Sequence, residues 1–296
     1  MLRNYADGPR DWRRLLDEAQ LVDEVGVDRV VVVDHVVLGP HLDEYPAGTF
    51  LTGPGGDWLE PMTTLAALAG VTRRVRLSTA IVIAGLRHPV VFAKTAATLD
   101  VLAGGRLDLG VGVGWQRAEY EAVDLPFADR GRILDDALAL WRRLWTPGPT
   151  RLGPDHREEV WCEPSPVRDS GIPIWIGGGL STAVLRRIVA HGAGWIPWAR
   201  WANDVERGID VIRAALIEGG RSTDDFEVRA RLPIISGDDQ TIDLDATMER
   251  VERLMNAGVT DFSIQTQLSL DDLDRDGERL SALVGAFRSK VGGAAF

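Results

Sequence analysis

Arg29 to Val37 reads RVVVVDHVV, a β-branched run with no polar alternation that ends in an acid and an imidazole. A strand that is apolar on every residue is covered on both faces, as strands of a parallel sheet are. Upstream, Trp12, Leu15, Leu16, Ala19 and Val22 recur at helical spacing, with Pro9 near the start and Gly26 at the stop. Downstream the alternation continues. Helices are predicted from Pro61 to Thr72 and Pro89 to Leu102, and strands from Val75 to Ile83 and Leu107 to Val113. A helix around Leu134 to Leu144 precedes a Pro-rich stretch, Thr146 to Pro173, and the strand Ile174 to Ile176. Then come helix Thr182 to His191, strand Trp195 to Trp198 and helix Val205 to Leu216. Strand Val228 to Ile235, helix Ala246 to Met255, strand Asp261 to Gln265 and helix Leu273 to Phe287 complete the pattern.

Alternation of this kind without a break in composition predicts one α/β domain over residues 1–296, a (β/α)₈ TIM barrel with an insertion. Seven strands are legible, and the first helix begins only a few residues after Met1. Strand one is therefore expected to be truncated, with Met1 to Asn4 as a stub or a gap in its place, and the genuine chain to begin upstream.

The formal charge of −11, with acids and bases mixed along 296 residues, argues against a nucleic-acid surface or a polybasic membrane anchor. The single cysteine, Cys162, excludes an intrachain disulfide. No apolar leader follows Met1 and no stretch reaches membrane-spanning length, so a cytoplasmic protein with small-molecule or subunit partners is expected.

Asp34 and His35 follow a strand, at the barrel end where active-site groups sit, and could orient a ring and relay a proton; the plainer alternative is that Asp34 caps the next loop and His35 packs against it. In GVGVGW, Gly110, Gly112 and Gly114 strip side chains from one face, which either admits a planar ring or serves close packing. The spacing is not that of a dinucleotide fingerprint. Gly177-Gly178-Gly179-Leu180-Ser181-Thr182 joins a strand directly to a helix, so free N–H groups and two hydroxyls converge where a phosphate would bind; Ser181 is also the natural N-cap. Arg87 could meet an anion or serve a structural ion pair. The five histidines lack ligand spacing, so no metal site is expected, and Cys162 has no evident base. Few side chains could do covalent or metal chemistry, which suits an enzyme whose chemistry belongs to a cofactor.

The series VVDHVV (Val32 to Val37), RHPVVFAKTAATLDVLAGGRLDLGVGVGW (Arg87 to Trp115), PFADRG (Pro126 to Gly131), PIWIGGG (Pro173 to Gly179) and GAGWIP (Gly192 to Pro197) resembles the luciferase-like monooxygenase superfamily, and within it actinobacterial deazaflavin-dependent oxidoreductases. The resemblance implies a homodimer and hydride transfer between coenzyme F420 and an organic substrate. Its alternatives are an FMN-dependent monooxygenase and a barrel that binds the cofactor without catalysis. It implies a ring resting on a non-prolyl cis peptide at Ala80-Ile81, with Asp34 and His35 beside it, Gly112-Val113-Gly114 as the glycine strand, and phosphate at Gly177 to Thr182. Two positions depart from the family pattern. Trp115 stands where the sugar-phosphate dehydrogenase branch has a glutamate, and Val113 where luciferase has an arginine. The loops Leu38 to Trp58 and Thr146 to Pro173 are expected to wall the pocket.

Overall fold

The computed structural model describes residues 1–153, 156–236, 241–264 and 273–292. The strands are β1 (Tyr5–Ala6), β2 (Arg29–Val32), β3 (Asp57–Trp58), β4 (Arg76–Thr79), β5 (Val82–Ile83), β6 (Leu107–Gly112), β7 (Ile174–Gly178), β8 (Gly192–Pro197), β9 (Glu227–Arg231) and β10 (Asp261–Ser263). The helices are α1 (Arg14–Val25), α2 (Pro61–Val71), α3 (Pro89–Leu102), α4 (Arg117–Glu121), α5 (Arg130–Leu144), α6 (Thr182–His191), α7 (Val205–Glu218), α8 (Leu244–Ala257) and α9 (Leu273–Lys290). The expected strand end at Gln265 lies outside the described residues.

The central sheet runs β2-β4-β6-β7-β8-β9-β10, all parallel, with β5 added beside β6. Around it α1, α2, α3, α5, α6, α7, α8 and α9 each touch the next, and α9 returns to α1. The helix ring is thus closed, although the sheet has edges at β2 and β10. The expected stub fills that breach. Leu2 N donates to the Val31 carbonyl at 3.0 Å on one side, and Met1 N to the Ile264 carbonyl at 2.8 Å on the other. Asn4, fully buried, then does with its side chain what a neighbouring strand would do. Its Nδ2 donates to the carbonyls of Val33 (2.7 Å) and Leu59 (2.8 Å), and its Oδ1 accepts from Val33 N at 3.0 Å. The backbone groups at the end of β2 are satisfied without a full first strand. Beyond Asn4 the chain leaves the barrel, and β1 pairs antiparallel with β3.

Charge fills the N-terminal end of the barrel. Arg76 and Arg29 both bond Asp108, Arg29 also reaches Asp261 (2.7 Å) and Glu227 (3.3 Å), and Arg229 Nε shares Asp261 at 2.6 Å. The Trp175 ring lies between the guanidiniums of Arg29 (4.6 Å) and Arg229 (4.7 Å). Gly194 makes room for that ring, since a Cβ there would stand 2.7 Å from it. Three cations against three carboxylates leave the plug neutral, which is the condition under which charge can be held away from water.

Burial works against the charge of Asp261, but Arg229 and Arg29 outweigh it and hold its pKa below the usual carboxylate value. Asp261→Ala is expected to lower the unfolding free energy by about 3–5 kcal/mol, read by urea denaturation, because it leaves two guanidiniums without their shared partner. A depressed folded pKa contributes stability that is complete above the unfolded value, about pH 4, and is lost as pH falls through the folded one. The variant should therefore lose less stability than the wild type below about pH 4.

Candidate active site

At the C-terminal ends of the strands lies a cavity of about 580 Å³, within the size range of cofactor sites. It gathers Asp34, His35, Ala80, Ile81, Gly112, Val113, Gly114, Gly177, Gly178, Gly179 and Ser181, which lie on four separate segments of the sequence. Thr182 is exposed and does not line it.

The floor is set by a break in the third expected strand. Val75 to Ile83 does not run straight; it divides into β4 and β5 around the Ala80-Ile81 peptide, which is cis, as the resemblance implied. The bulge presses against the glycines. A Cβ on Gly110 would collide with the Thr79 carbonyl, one on Gly112 would stand 3.0 Å from Ile81, and one on Gly177 would collide with Cγ2 of Ile81. Gly110 is therefore a packing glycine, and the bare face of Gly112 and Gly177 is occupied by Ile81, which itself presents to the cavity.

Asp34 is bound inward. Its Oδ2 accepts from Ile83 N at 2.8 Å and from Arg87 Nη1 at 2.7 Å, and its Oδ1 from Arg87 Nη2 at 3.0 Å. Both oxygens are bonded to the protein, so Asp34 ties the end of β2 to β5 while it lines the cavity. Arg87 also donates to Glu60 at 2.8 Å, and Glu60 caps α2 by accepting from Thr63 N. Burial opposes the charge on Arg87, but the two carboxylates outweigh it and raise its pKa. Burial likewise opposes charge on Glu60, yet the Thr63 N–H and Arg87 hold its pKa below the usual range.

His35 is held differently. Its Nδ1 lies 3.1 Å from Oε2 of Glu119, whose Oε1 accepts from Val36 N at 2.9 Å. Glu119 is 1% exposed and sits on α4, the short helix after the glycine strand. Its neighbour Tyr120 donates to the Val113 carbonyl at 2.7 Å, and burial pushes its phenol up to about 12. Sequence reasoning passed over Glu119; the one sign was an acid within two turns of the strand end. It also passed over the aromatic wall. Phe50, Trp58 and Trp115 stand around the imidazole at 5.1, 4.7 and 6.3 Å between ring centroids, and Tyr45 and Trp198 extend the wall.

At the start of α6, Ser181 caps the helix by accepting from Val184 N at 3.4 Å, so the N-cap reading holds. Two guanidiniums also line the cavity, Arg187 from α6 and Arg200 from the turn after β8. Arg187 is fixed by Asp135 (2.6 Å) and the Gly131 carbonyl (2.9 Å), while Arg200 lies over Trp201 and carries no ion pair among the described residues.

Of the two loops expected to wall the pocket, Leu38 to Trp58 does so through Tyr45, Phe50, Leu51 and Trp58. The Thr146 to Pro173 stretch does not. It connects a helix to the following strand and so returns to the N-terminal end of the barrel, where Val167 N donates to Asp100 at 2.9 Å and Arg143 to the Leu152 carbonyl at 3.1 Å. The loops that reach the cavity are those leaving strands.

The contact between Gly177 and Ile81 can be tested directly. Gly177→Ala is expected to destabilise the protein by about 1–3 kcal/mol through overpacking, and adding Ile81→Ala to recover most of that loss. Thermal unfolding of the two single variants and the double variant checks it.

The sequence matches the luciferase-like monooxygenase family over residues 2–279. An uncharacterized protein of Mycobacterium tuberculosis is 28% identical over 265 residues, 88% of either chain. The F420-dependent glucose-6-phosphate dehydrogenase of Nocardia farcinica is 29% identical over 249 residues, covering 81% of this chain and 69% of that one. Among solved structures, the FMN complex of the oxygenating constituent of 3,6-diketocamphane monooxygenase from Pseudomonas putida superposes with a TM-score of 0.75 at 14% identity, covering 95% of this chain and 94% of that one. The fold, the cavity at the strand ends and a family match along nearly the whole sequence lead to one conclusion: the chain belongs to the luciferase-like monooxygenase family.

Proposed function

We propose that the protein is an F420-dependent oxidoreductase, acting as a homodimer on a small organic molecule. One observation carries the reading: a single cavity joins an apolar ridge, Ala80-Ile81, to the glycine turn at the start of α6. A flat ring fits against the ridge, and a phosphate fits the turn, where backbone N–H groups and a helix N-terminus favour an anion. Arg200 and Arg187 line that side and Val113 brings no cation from the glycine strand, which supports a phosphate held from α6 and its neighbours. The relative in Nocardia farcinica, F420-dependent by name, favours the deazaflavin over FMN.

When bound, the deazaflavin supplies hydride chemistry. The protein's own residues supply the rest. Ile81, braced by Gly112 and Gly177, supports the ring face, and Asp34 and Arg87 keep the bulge in place. His35, held by Glu119, is the group placed to hold or move a proton at its Nε2. The aromatic wall excludes water from the space beside it.

Titration of the purified protein with each cofactor, followed by tryptophan fluorescence, is expected to show F420 binding at least about tenfold tighter than FMN. The reverse order, with oxygen consumed when reduced FMN is added, would move the protein to the monooxygenases. Tight binding without turnover on any substrate would make it a carrier.

A further inference from the structure

His35 is a proton-bearing group whose environment specifies which nitrogen faces the cavity and in which form. Glu119 is buried, and a carboxylate accepts hydrogen bonds without donating them. One oxygen takes the Val36 N–H, and the other lies 3.1 Å from Nδ1 of His35. The hydrogen on that line therefore belongs to the imidazole, and the neutral ring has its proton on Nδ1. Nε2 is then the acceptor, and it has no partner among the described residues while His35 lines the cavity. What a ligand must offer there is a hydrogen-bond donor.

The surroundings of that acceptor are flat and apolar. Phe50, Trp58 and Trp115 flank the imidazole, Tyr45 stands 5.2 Å from Phe50 and 5.3 Å from Trp115, and each of these rings is only partly buried. Core aromatics of this chain, such as Trp141 and Trp195, are fully buried. Rings left half-covered around one cavity offer faces and edges to a flat ligand. Among the described residues the one carboxylate that lines the cavity, Asp34, is bonded to Arg87 and Ile83, and Glu119 is bonded to His35 and Val36, so neither is free to receive a polyhydroxylated or cationic substrate.

We infer that the substrate end of the cavity takes a flat aromatic molecule bearing a hydroxyl at its edge, which donates to Nε2 of His35, and that Glu119 is the positioning residue that fixes the imidazole in this form. The inference rests on the reading above, that the Ile81 side of the same cavity holds the cofactor ring. It adds the class of molecule that lies beside it.

The experiment uses 2-naphthol and 2-methoxynaphthalene, which match in shape and differ in the ability to donate. Both are titrated at about pH 8, well above the ordinary histidine pKa of about 6.5, into the protein with and without F420. The expected result is 2-naphthol binding about tenfold tighter, the worth of one good hydrogen bond, in both conditions and without displacing the cofactor. Phe50→Leu should weaken both probes alike. Glu119→Gln supplies the decisive contrast. With its oxygen on the Val36 N–H, the amide presents NH₂ to Nδ1, so the ring must carry its proton on Nε2 and the preference for naphthol falls to about one. The ¹⁵N spectrum of His35, assigned with His35→Asn, reports the same change, with the protonated nitrogen moving from Nδ1 to Nε2; a merely structural Glu119 would leave it in place. Equal affinity for the two probes in the wild type, or an Nε2-protonated His35 in the wild type, overturns the inference even where F420 binds. So does naphthol competing with F420. Failure of both cofactors to bind overturns the proposed function instead, and the probe pair on the cofactor-free protein still decides this one.

Discussion

The open end of the barrel is governed by how closely the β4–β5 segment approaches β6 and β7. Parallel strands normally keep their side chains between them and the neighbouring layer. Here the Thr79 carbonyl occupies the place of a side chain at Gly110, and Ile81 fills the space of two more at Gly112 and Gly177. Such an approach holds only if the displaced segment is fixed from its other side as well. Asp34 does this by taking the Ile83 N–H and both arms of Arg87, while Arg87 reaches on to the residue that caps α2. The glycines permit the bulge, and the buried ion pair specifies where it stops. Each half requires the other: without the clasp the segment could straighten, and with larger residues in β6 and β7 it could not enter.

The two ends of the barrel use charge in opposite ways. At the N-terminal end three arginines and three carboxylates interlock around Trp175 and fill the interior, and Arg229 stacks on the indole face, where its terminal nitrogens find no hydrogen-bond partner among the described residues. At the C-terminal end Asp34, Arg87, Glu119 and Arg187 are drawn into the walls, paired with one another, with neighbouring side chains or with backbone, and the space they surround is a cavity. A barrel this narrow can be hollow at one end because the other is filled solid. The first strand fits the same economy of parts, since Asn4 supplies with one amide two hydrogen bonds at the end of β2 that a longer strand would have made with its backbone, and a third to Leu59.

What could be read in the sequence was what is local in the chain. Pro89 opens α3, Ser181 caps α6, and the β-branched run at Arg29 makes a strand, because each depends on residues within one or two turns. The start of β8 was read late because Gly192 and Gly194 lack the side chains by which a strand is recognised; the reason for Gly194 is a ring on another strand. Glu119 was missed for the same kind of reason. Its partner His35 is 84 residues away, and nothing in RAEYE distinguishes a buried acid from a solvated one. The Thr146 to Pro173 stretch leads from a helix to a strand, a direction that places it at the N-terminal end and that its length and proline content do not express.

The departure at Trp115 gains its meaning from Glu119. Where a glutamate directly after the glycine strand would put a carboxylate among the groups that touch a ligand, this chain puts an indole into the wall beside His35 and carries its acid four residues further, on α4. From there the carboxylate, itself buried, reaches the imidazole and the Val36 N–H. Its charge no longer meets the ligand; it acts through the ring, by fixing which nitrogen is protonated. A site arranged in this way presents one neutral acceptor in an apolar wall. It discriminates by shape and by a single hydrogen bond, where a carboxylate facing the ligand would select for many hydroxyls.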